Sequence, residues 1–520
     1  MKNGNMPGGT LRITLANTIQ YVIMALFYMI VTKTNILTQT DIGTISLLNF
    51  LAATFTVVTL FALPTALTKF TSEKIGKNQK EEAAAIQKTI IKTVVILSII
   101  GLVIAAFLSQ LITQLLWNNP DYMIALILAF TYSALGNIQK LFSSTFQALY
   151  LFGEMAIITV TFVISSRIIA ILLAFLKMGV TGVMVGYVIG IIISLTVAII
   201  FLKGKLPKTK KSMPLRPIIS YSVPLFLSSI TALILHWADI VIINSITGDL
   251  SLTGIYSIAI NSAGTLSLLY VPIMTTIFPS ISVHHGLEKT KNIKTILKTA
   301  SRIILFLLIP SCIGLAIVAP TALTLFYGSS YAKGAVPLAI LSIGTIITAL
   351  FTLYTTTFGA IGKTGQVLKI KIIATIVTIL TLLSLVPLLD TTGAAIGRLI
   401  TNIVALALAI YILNKEIKIS LDTVALWKSA ASTIAFIPFL LVIELILSTK
   451  LSIVQTLAIE LLTAAAIYAF MLYVLKALKR DDFQLLRQAL PKPLIKYVNI
   501  IEKIIVRQKN NTNIKTKYSN

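Results

Sequence analysis

Between residues 179 and 202 the chain reads GVTGVMVGYVIGIIISLTVAIIFL, and not one of those residues carries a charge. As a helix, roughly 20 apolar residues cross about 30 Å of hydrocarbon. Inside hydrocarbon a backbone must satisfy its own hydrogen bonds, so only helices and closed barrels span. The run does not alternate polar and apolar residues over about 10 positions, as a barrel strand does. It reads as a membrane-spanning helix, and the rest of the chain repeats the theme.

Outward from that run, about fourteen spans are expected. The first six lie near 13–32, 43–67, 90–116, 122–150, 155–176 and 179–202. The next six lie near 218–246, 252–279, 301–327, 335–358, 370–389 and 392–413, and two more near 426–448 and 453–475. The composition agrees: 57% of the 520 residues are hydrophobic and 12% are charged, against about 25% charged in ordinary domains. The first run, about 13–31, is too long for a signal peptide and no small-residue cleavage site follows it, so it is expected to be retained as a helix.

The chain carries 43 Lys and Arg against 17 Asp and Glu, a net charge of +26. In a soluble protein that excess would suggest nucleic acid; here basic residues collect between spans. Lys69, Lys74, Lys77, Lys80 and Lys88 follow span 2, and Lys203, Lys205, Lys208, Lys210, Lys211 and Arg216 follow span 6. Lys289, Lys291, Lys294 and Lys298 follow span 8, with Lys363, Lys369, Lys415 and Lys418 after spans 10 and 12. The odd-numbered loops hold Lys33, Lys177, Lys333 and Lys450, one each. The alternation puts the even loops and both termini in the cytoplasm of a multi-pass cell-membrane protein. No nucleic acid is expected as a partner. The single Cys312 excludes a disulfide or a Cys-based metal site. The short outer loops leave no room for an extracytoplasmic catalytic domain, so an enzyme is not expected. No Walker A sequence is present, and no cofactor is expected beyond coupling to a proton or sodium gradient. In the basic tail, Leu494, Ile495, Val498, Ile501 and Ile505 share one helical face, which suggests a helix lying on the inner leaflet.

The chain also repeats itself. Phe142-Ser143-Ser144-Thr145-Phe146-Gln147-Ala148 corresponds to Tyr354-Thr355-Thr356-Thr357-Phe358-Gly359-Ala360, offset by 212. Thr181-Gly182 and Gly186 correspond to Thr392-Gly393 and Gly397, and Gly43 to Gly254, offset by 211. Six spans per repeat is an even number, so the halves insert in the same orientation, as in transporters that rock two bundles about a central site. The expected organisation is an all-α polytopic protein. It has a six-helix bundle at 1–202, a basic cytoplasmic linker at 203–217 and a second six-helix bundle at 218–413. Transmembrane helices 13 and 14 follow at 414–475, and a basic cytoplasmic tail at 476–520.

Further motifs are distributed along the chain. Leu37-Thr38-Gln39-Thr40-Asp41-Ile42-Gly43-Thr44 precedes span 2, and Leu63-Pro64-Thr65-Ala66-Leu67 closes it. Ser222-Val223-Pro224-Leu225 opens span 7, Ala238-Asp239-Ile240-Val241-Ile242 falls late in it, and Gly254-Ile255-Tyr256-Ser257 follows. Residues 327–338, YGSSYAKGAVPL, join spans 9 and 10. In order and spacing these resemble the multidrug/oligosaccharidyl-lipid/polysaccharide exporter superfamily, and within it the polysaccharide (Wzx-type) flippases. The resemblance covers roughly residues 10–475. It implies a fourteen-helix flippase, monomeric, carrying a polyprenyl- or dolichyl-linked oligosaccharide from inner to outer leaflet by alternating access. Glycan assembly enzymes and membrane lipids would be its other partners. The related drug exporters usually carry an acid in span 1, which this chain lacks. The related lipid II flippases, with several cavity arginines, stay open.

Charges within spans cost roughly 2.5–3.5 kcal/mol each on insertion scales and are functional candidates. Arg167 lies near the middle of span 5, Lys140 inside span 4, Arg12 at the start of span 1 and Arg398 in span 12. Facing a wet cavity, these four would compensate a phosphate or pyrophosphate; the plainer readings are interhelical ion pairs, snorkelling or, for Arg12, anchoring. Asp239 is the clearest acid within a span, and His236 lies one turn before it. The pair is a candidate for ion coupling, or else static packing. His284 and His285 have no carboxylates at ligand spacing, so no metal site is expected.

Overall fold

The computed structural model describes residues 6–207, 209–417, 422–447 and 451–475, with single positions at 477, 483, 487, 499 and 502. The residues of the proposed tail helix, Leu494, Ile495, Val498, Ile501 and Ile505, lie outside the described residues. Sixteen α-helices and no strand occur among the described residues. Two compact units divide the chain: residues 1–258 with 382–394, and residues 259–381 with 395–520.

The first unit contains α1 (Met6–Lys33), α2 (Gln39–Leu60), α3 (Leu63–Gly76), α4 (Lys80–Trp117), α5 (Met123–Ala148), α6 (Phe152–Phe175), α7 (Gly179–Leu202), α8 (Leu215–Thr247) and most of α9 (Leu250–Gly264). Helix α5 runs through its middle, packed by α2, α3, α4 and α7, while α6 lies between α1 and α7. Lipid tails are as apolar as leucine, so helices here associate through close packing and buried hydrogen bonds. Both are present. A Cβ on Gly186 would lie 2.5 Å from the backbone of Ala170, and one on Gly190 2.5 Å from Ser166, so α7 approaches α6 backbone to backbone. Asn137 donates to Thr59 Oγ1 at 2.8 Å and Ser98 Oγ at 3.2 Å, and Ser133 to the Ala52 carbonyl at 3.0 Å. These bonds tie α5 to α2 and α4.

The second unit contains the end of α9, α10 (Val271–Gly286), α11 (Thr290–Ile317), α12 (Ala319–Tyr327), α13 (Ala335–Ala360), most of α14 (Thr364–Ile417), α15 (Thr423–Leu447) and α16 (Ile453–Val474). Helix α11 takes the central place, touching α10, α13 and α15. Ser429 Oγ donates to the Leu305 carbonyl at 3.1 Å and Tyr468 Oη to the Phe306 carbonyl at 2.7 Å, fastening α15 and α16 to α11.

Thirteen helices among the described residues are long and apolar enough to cross a membrane. Helix α14 is 54 residues long, about 80 Å at 1.5 Å per residue. It breaks at Asp390, with φ 47° and ψ −127°, and so supplies two crossings. The total matches the fourteen spans expected. At that corner a Cβ on Gly393 would lie 2.2 Å from the Leu385 carbonyl oxygen, so the backbone turns where only glycine fits.

Three spans expected to be continuous are interrupted, each beside a proline. Span 2 breaks at Phe61 and Ala62, with φ 48° and 54°, and resumes at Leu63-Pro64. Span 8 passes through a short 3-10 turn and resumes at Val271-Pro272. Span 9 breaks at Val318 before Ala319-Pro320. Proline lacks an N–H, which costs nothing in the first turn of a helix, and it turns its predecessor away from helical geometry. Pro64, Pro272 and Pro320 are therefore start signals, whereas Pro224, Pro279 and Pro310 lie inside continuous helices. Helix α3 also carries Lys69 and Lys74, read from sequence as loop lysines. At its exposed end Lys77 Nζ meets Glu73 Oε1 at 2.7 Å, and that hydrogen bond holds the Glu73 carboxyl below the usual carboxylate range.

Candidate functional site

Arg167 lies fifteen residues into α6, about 22 Å from its start at 1.5 Å per residue. Its guanidinium carbon stands 4.2 Å from the centre of the Tyr187 ring and 5.0 Å from that of Phe27. Tyr28 and Tyr132 are close enough to act on its charge. Helices α1, α5 and α7 thus each place an aromatic ring around one guanidinium, an arrangement worth about 2 kcal/mol per face when desolvated. Among the described residues no carboxylate takes part. Arg167 Nη1 and Tyr187 Oη are both buried, near each other, and among the described residues neither completes a hydrogen bond of good geometry. Buried donors are nearly always satisfied, so these two neighbouring groups form a place where an oxyanion would be bonded.

The face of α5 that carries Tyr132 continues through Gly136 and Lys140. A Cβ on Gly136, one turn on, would meet nothing within 4 Å, and Lys140, one turn further, is exposed although it lies well inside the helix. Lys140 is eight residues from the end of α5, about 12 Å. Gln139 points elsewhere, donating to Ser194 Oγ of α7 at 2.6 Å. Arg12 of α1 is exposed, and its guanidinium lies over Gly153 at the start of α6, where an added Cβ would come 2.8 Å from Nη1. Arg12, Lys140 and Arg167 therefore stand at three successive depths in the first unit, measured from the α5–α6 turn. Arg398 lies on α14, half-buried, in the second unit.

Asp239 is 2% exposed in α8. Its Oδ2 accepts the Tyr256 hydroxyl of α9 at 2.8 Å, and Oδ1 accepts the Ile240 N–H at 3.0 Å. His236, one turn earlier, is exposed, with its ring edge-on to Trp237 at 5.0 Å. The two side chains differ sharply in burial: Asp239 is locked into the α8–α9 contact, and His236 is accessible.

Further buried charged groups escaped the sequence reading. Arg302 of α11, 4% exposed, pairs at 3.4 Å with Asp422, 5% exposed, which also accepts the Ala425 N–H at the start of α15. Their separation of 120 residues hides the pairing in sequence. Glu444 and Glu460 lie in α15 and α16, so Asp239 is not the sole strong acid within the spans. Both sit near the ends of long apolar runs. Among the described residues, no group of three or more His, Cys, Asp or Glu could hold a metal ion.

A family model described as polysaccharide biosynthesis protein matches residues 8–285, more than half of the chain. No curated protein sequence matches significantly. Among solved structures, the chain is similar to the lipid II flippase MurJ in an inward closed conformation, with a TM-score of 0.73 at 16% identity over 89% of this chain and 98% of that one. It is similar to an inward-facing multidrug resistance MATE family transporter of the MOP superfamily, with a TM-score of 0.59 at 16% identity over 79% and 98%. A MOP superfamily transporter from Pyrococcus furiosus, described as having a binding pocket of reverse polarity, gives 0.54 at 16% identity over 80% and 96%. At these identities the likeness is one of fold. The chain is a multi-pass membrane protein with the fold of the MOP-superfamily transporters, and it belongs to the polysaccharide biosynthesis protein family.

Proposed function

We propose that this transporter moves a lipid-linked oligosaccharide, joined to its polyprenyl or dolichyl carrier by phosphate or pyrophosphate, from the inner to the outer leaflet by alternating access. The observation that carries this reading is the Arg167–Tyr187 pair, whose Nη1 and Oη are buried and complete no hydrogen bond of good geometry among the described residues. A phosphate must leave water to cross a bilayer, and Arg offers it charge and directed N–H donors together. Lys140 and Arg12, at other depths, suit a headgroup that passes from one cation to the next; Arg398 of the second unit is a further candidate cation for the substrate. In the same reading the protein is a monomer of the cell membrane with both termini cytoplasmic, its repeats correspond to 1–202 and 218–413, and Asp239 with His236 couples transport to a cation gradient. The test is the lipid-linked glycan pool of cells lacking the protein. The expected result is accumulation of completed, cytoplasm-facing glycolipid, reversed by the wild-type chain and not by Arg167→Ala.

A second reading, a cation-coupled multidrug exporter, is favoured by the buried carboxylate of Asp239. It expects an unchanged glycolipid pool and new sensitivity to cationic dyes in the same cells. A lipid II flippase differs from the first reading only in the glycan carried.

A further inference from the structure

Helix α4 runs for 38 residues, about 57 Å at 1.5 Å per residue, nearly twice the ~30 Å of hydrocarbon in a bilayer. Its last charged residue is Lys92, and residues 93–117 carry no charge. The hydrocarbon therefore begins just beyond Lys92, and the first turns of α4 stand at headgroup level. A cavity of about 760 Å³ lies at that boundary, within the first unit. Lys88 and Lys92, one turn apart on one face of α4, line it on the headgroup side. Its apolar wall is made by Ile91, Val95 and Ile96 of α4, Phe142 of α5, Leu202 at the end of α7 and Leu206 just after it.

The linker that joins the two repeats closes one side of the cavity. Lys88 Nζ donates to the Thr209 carbonyl at 3.1 Å and to the Lys210 carbonyl at 3.5 Å, and the Met213 N–H donates to Thr89 Oγ1 at 3.1 Å. The neighbouring acids are paired, Glu81 with Lys211 at 3.0 Å and Glu82 with Lys74 at 2.5 Å. An ammonium group has three N–H donors, so Lys88 can serve both carbonyls and one further oxygen. Lys92 is exposed. Past the lysines the same face of α4 is apolar and exposed, through Ile96, Ile99 and Val103. From Lys92 to Val103 is eleven residues, about 16 Å. That is the depth of one leaflet, about half of the hydrocarbon thickness. Two cations at headgroup level above an apolar wall one leaflet deep match the layout of a phospholipid.

We propose that this cavity holds the headgroup of one anionic phospholipid of the bilayer, its phosphate at Lys88 and Lys92 and an acyl chain along Ile96, Ile99 and Val103. Clustered lysines at a membrane face select anionic headgroups. Bilayer phospholipid, not a carrier lipid, is the occupant because it surrounds this face of α4 in large excess. By the charge rule the leaflet is the cytoplasmic one. The lipid lies against the linker, and Lys88 is shared between the headgroup and the linker carbonyls. The site includes neither Arg167 nor Asp239, and it does not depend on which substrate is carried.

Native mass spectrometry of the purified full-length protein in detergent, titrated with phosphatidylglycerol or phosphatidylcholine, tests the site. The wild type is expected to retain one phosphatidylglycerol where phosphatidylcholine is lost. The double variant Lys88→Gln with Lys92→Gln is expected to bind phosphatidylglycerol at least about fivefold more weakly, the factor that one lysine near an anionic lipid surface contributes. Lys92→Gln alone leaves the Lys88 bonds to the linker in place and is expected to lose part of the preference. Lys289→Gln with Lys291→Gln removes the same charge from the second unit and is expected to keep it. Three results would each overturn the proposal: equal retention of the two lipids by the wild type, wild-type binding of phosphatidylglycerol by the double variant, or displacement of phosphatidylglycerol by a polyprenyl phosphate or by inorganic phosphate.

Discussion

Ser46 Oγ lies 2.6 Å from Ser257 Oγ, and the two residues are 211 positions apart, the offset of the internal repeat. The contact is reciprocal in its surroundings. A Cβ on Gly43 would fall 2.1 Å from the Leu250 carbonyl oxygen, and one on Gly254 2.0 Å from that of Gln39. Gly43 and Gly254, like Gln39 and Leu250, are again separated by the repeat. Equivalent residues of α2 and α9 thus meet each other's partners, as they must where a local two-fold axis passes between two helices.

That crossing tolerates no side chain. Gly43→Ala and Gly254→Ala each drive a methyl group into a backbone carbonyl that cannot rotate away. Each is expected to destabilise the protein by about 1–3 kcal/mol or more through overpacking, and by similar amounts because the sites are equivalent. Thermal unfolding of both variants in detergent measures this. A variant as stable as the wild type would show that the helices are not in contact.

The serine pair should behave as one interaction. Ser46→Ala and Ser257→Ala are each expected to cost about 1 kcal/mol, and the double variant less than the two together. A double-mutant cycle on unfolding gives the coupling directly.

The buried pair Arg302–Asp422 should matter for stability. Removing Arg302 takes away the charge partner of the buried Asp422 carboxylate, which costs about 3–5 kcal/mol in a low-dielectric setting. Asp422→Ala also removes the acceptor for the Ala425 N–H, so it is expected to exceed Arg302→Met in effect. The double variant Arg302→Met with Asp422→Leu should recover part of the loss. Folded protein in membranes, followed by size-exclusion profile, reads these outcomes.

Asp239 and its partner give a test of coupling. Tyr256→Phe deletes the hydroxyl that Asp239 Oδ2 accepts. Under the coupling reading, Asp239→Asn is expected to fold, to retain substrate binding and to lose the response of transport rate to an imposed cation gradient. Equal response in wild type and variant would assign Asp239 a structural role only.

Hydropathy made the span count and the all-α class legible, because a helix in lipid needs little more than length and the absence of charge. The repeat was legible in scattered pairs such as Gly43 with Gly254, although their mutual contact was not. Helix breaks were less so: a proline such as Pro64 can bend, end or start a helix, and only its place in the first turn of α3 decides. Arg167 and Lys140 could be flagged as costly intramembrane cations, but the aromatic rings around Arg167 come from three other helices. Glu444 and Glu460 were passed over because an apolar run dilutes one acid, and their adjacency depends on how α15 packs on α16.

The central claim is that Arg167 receives the phosphate of a lipid-linked glycan. The most direct measurement is transfer of a fluorescent polyprenyl-diphosphate-linked disaccharide between leaflets of proteoliposomes, read by chemical quenching from outside. The account expects the wild type to render the inner pool accessible. It expects Arg167→Ala, and more weakly Arg167→Lys, to slow transfer at least about tenfold, equivalent to about 1.4 kcal/mol, with the protein still folded. Equal transfer by wild type and Arg167→Ala, or no transfer by the wild type alongside uptake of a cationic dye, would contradict it.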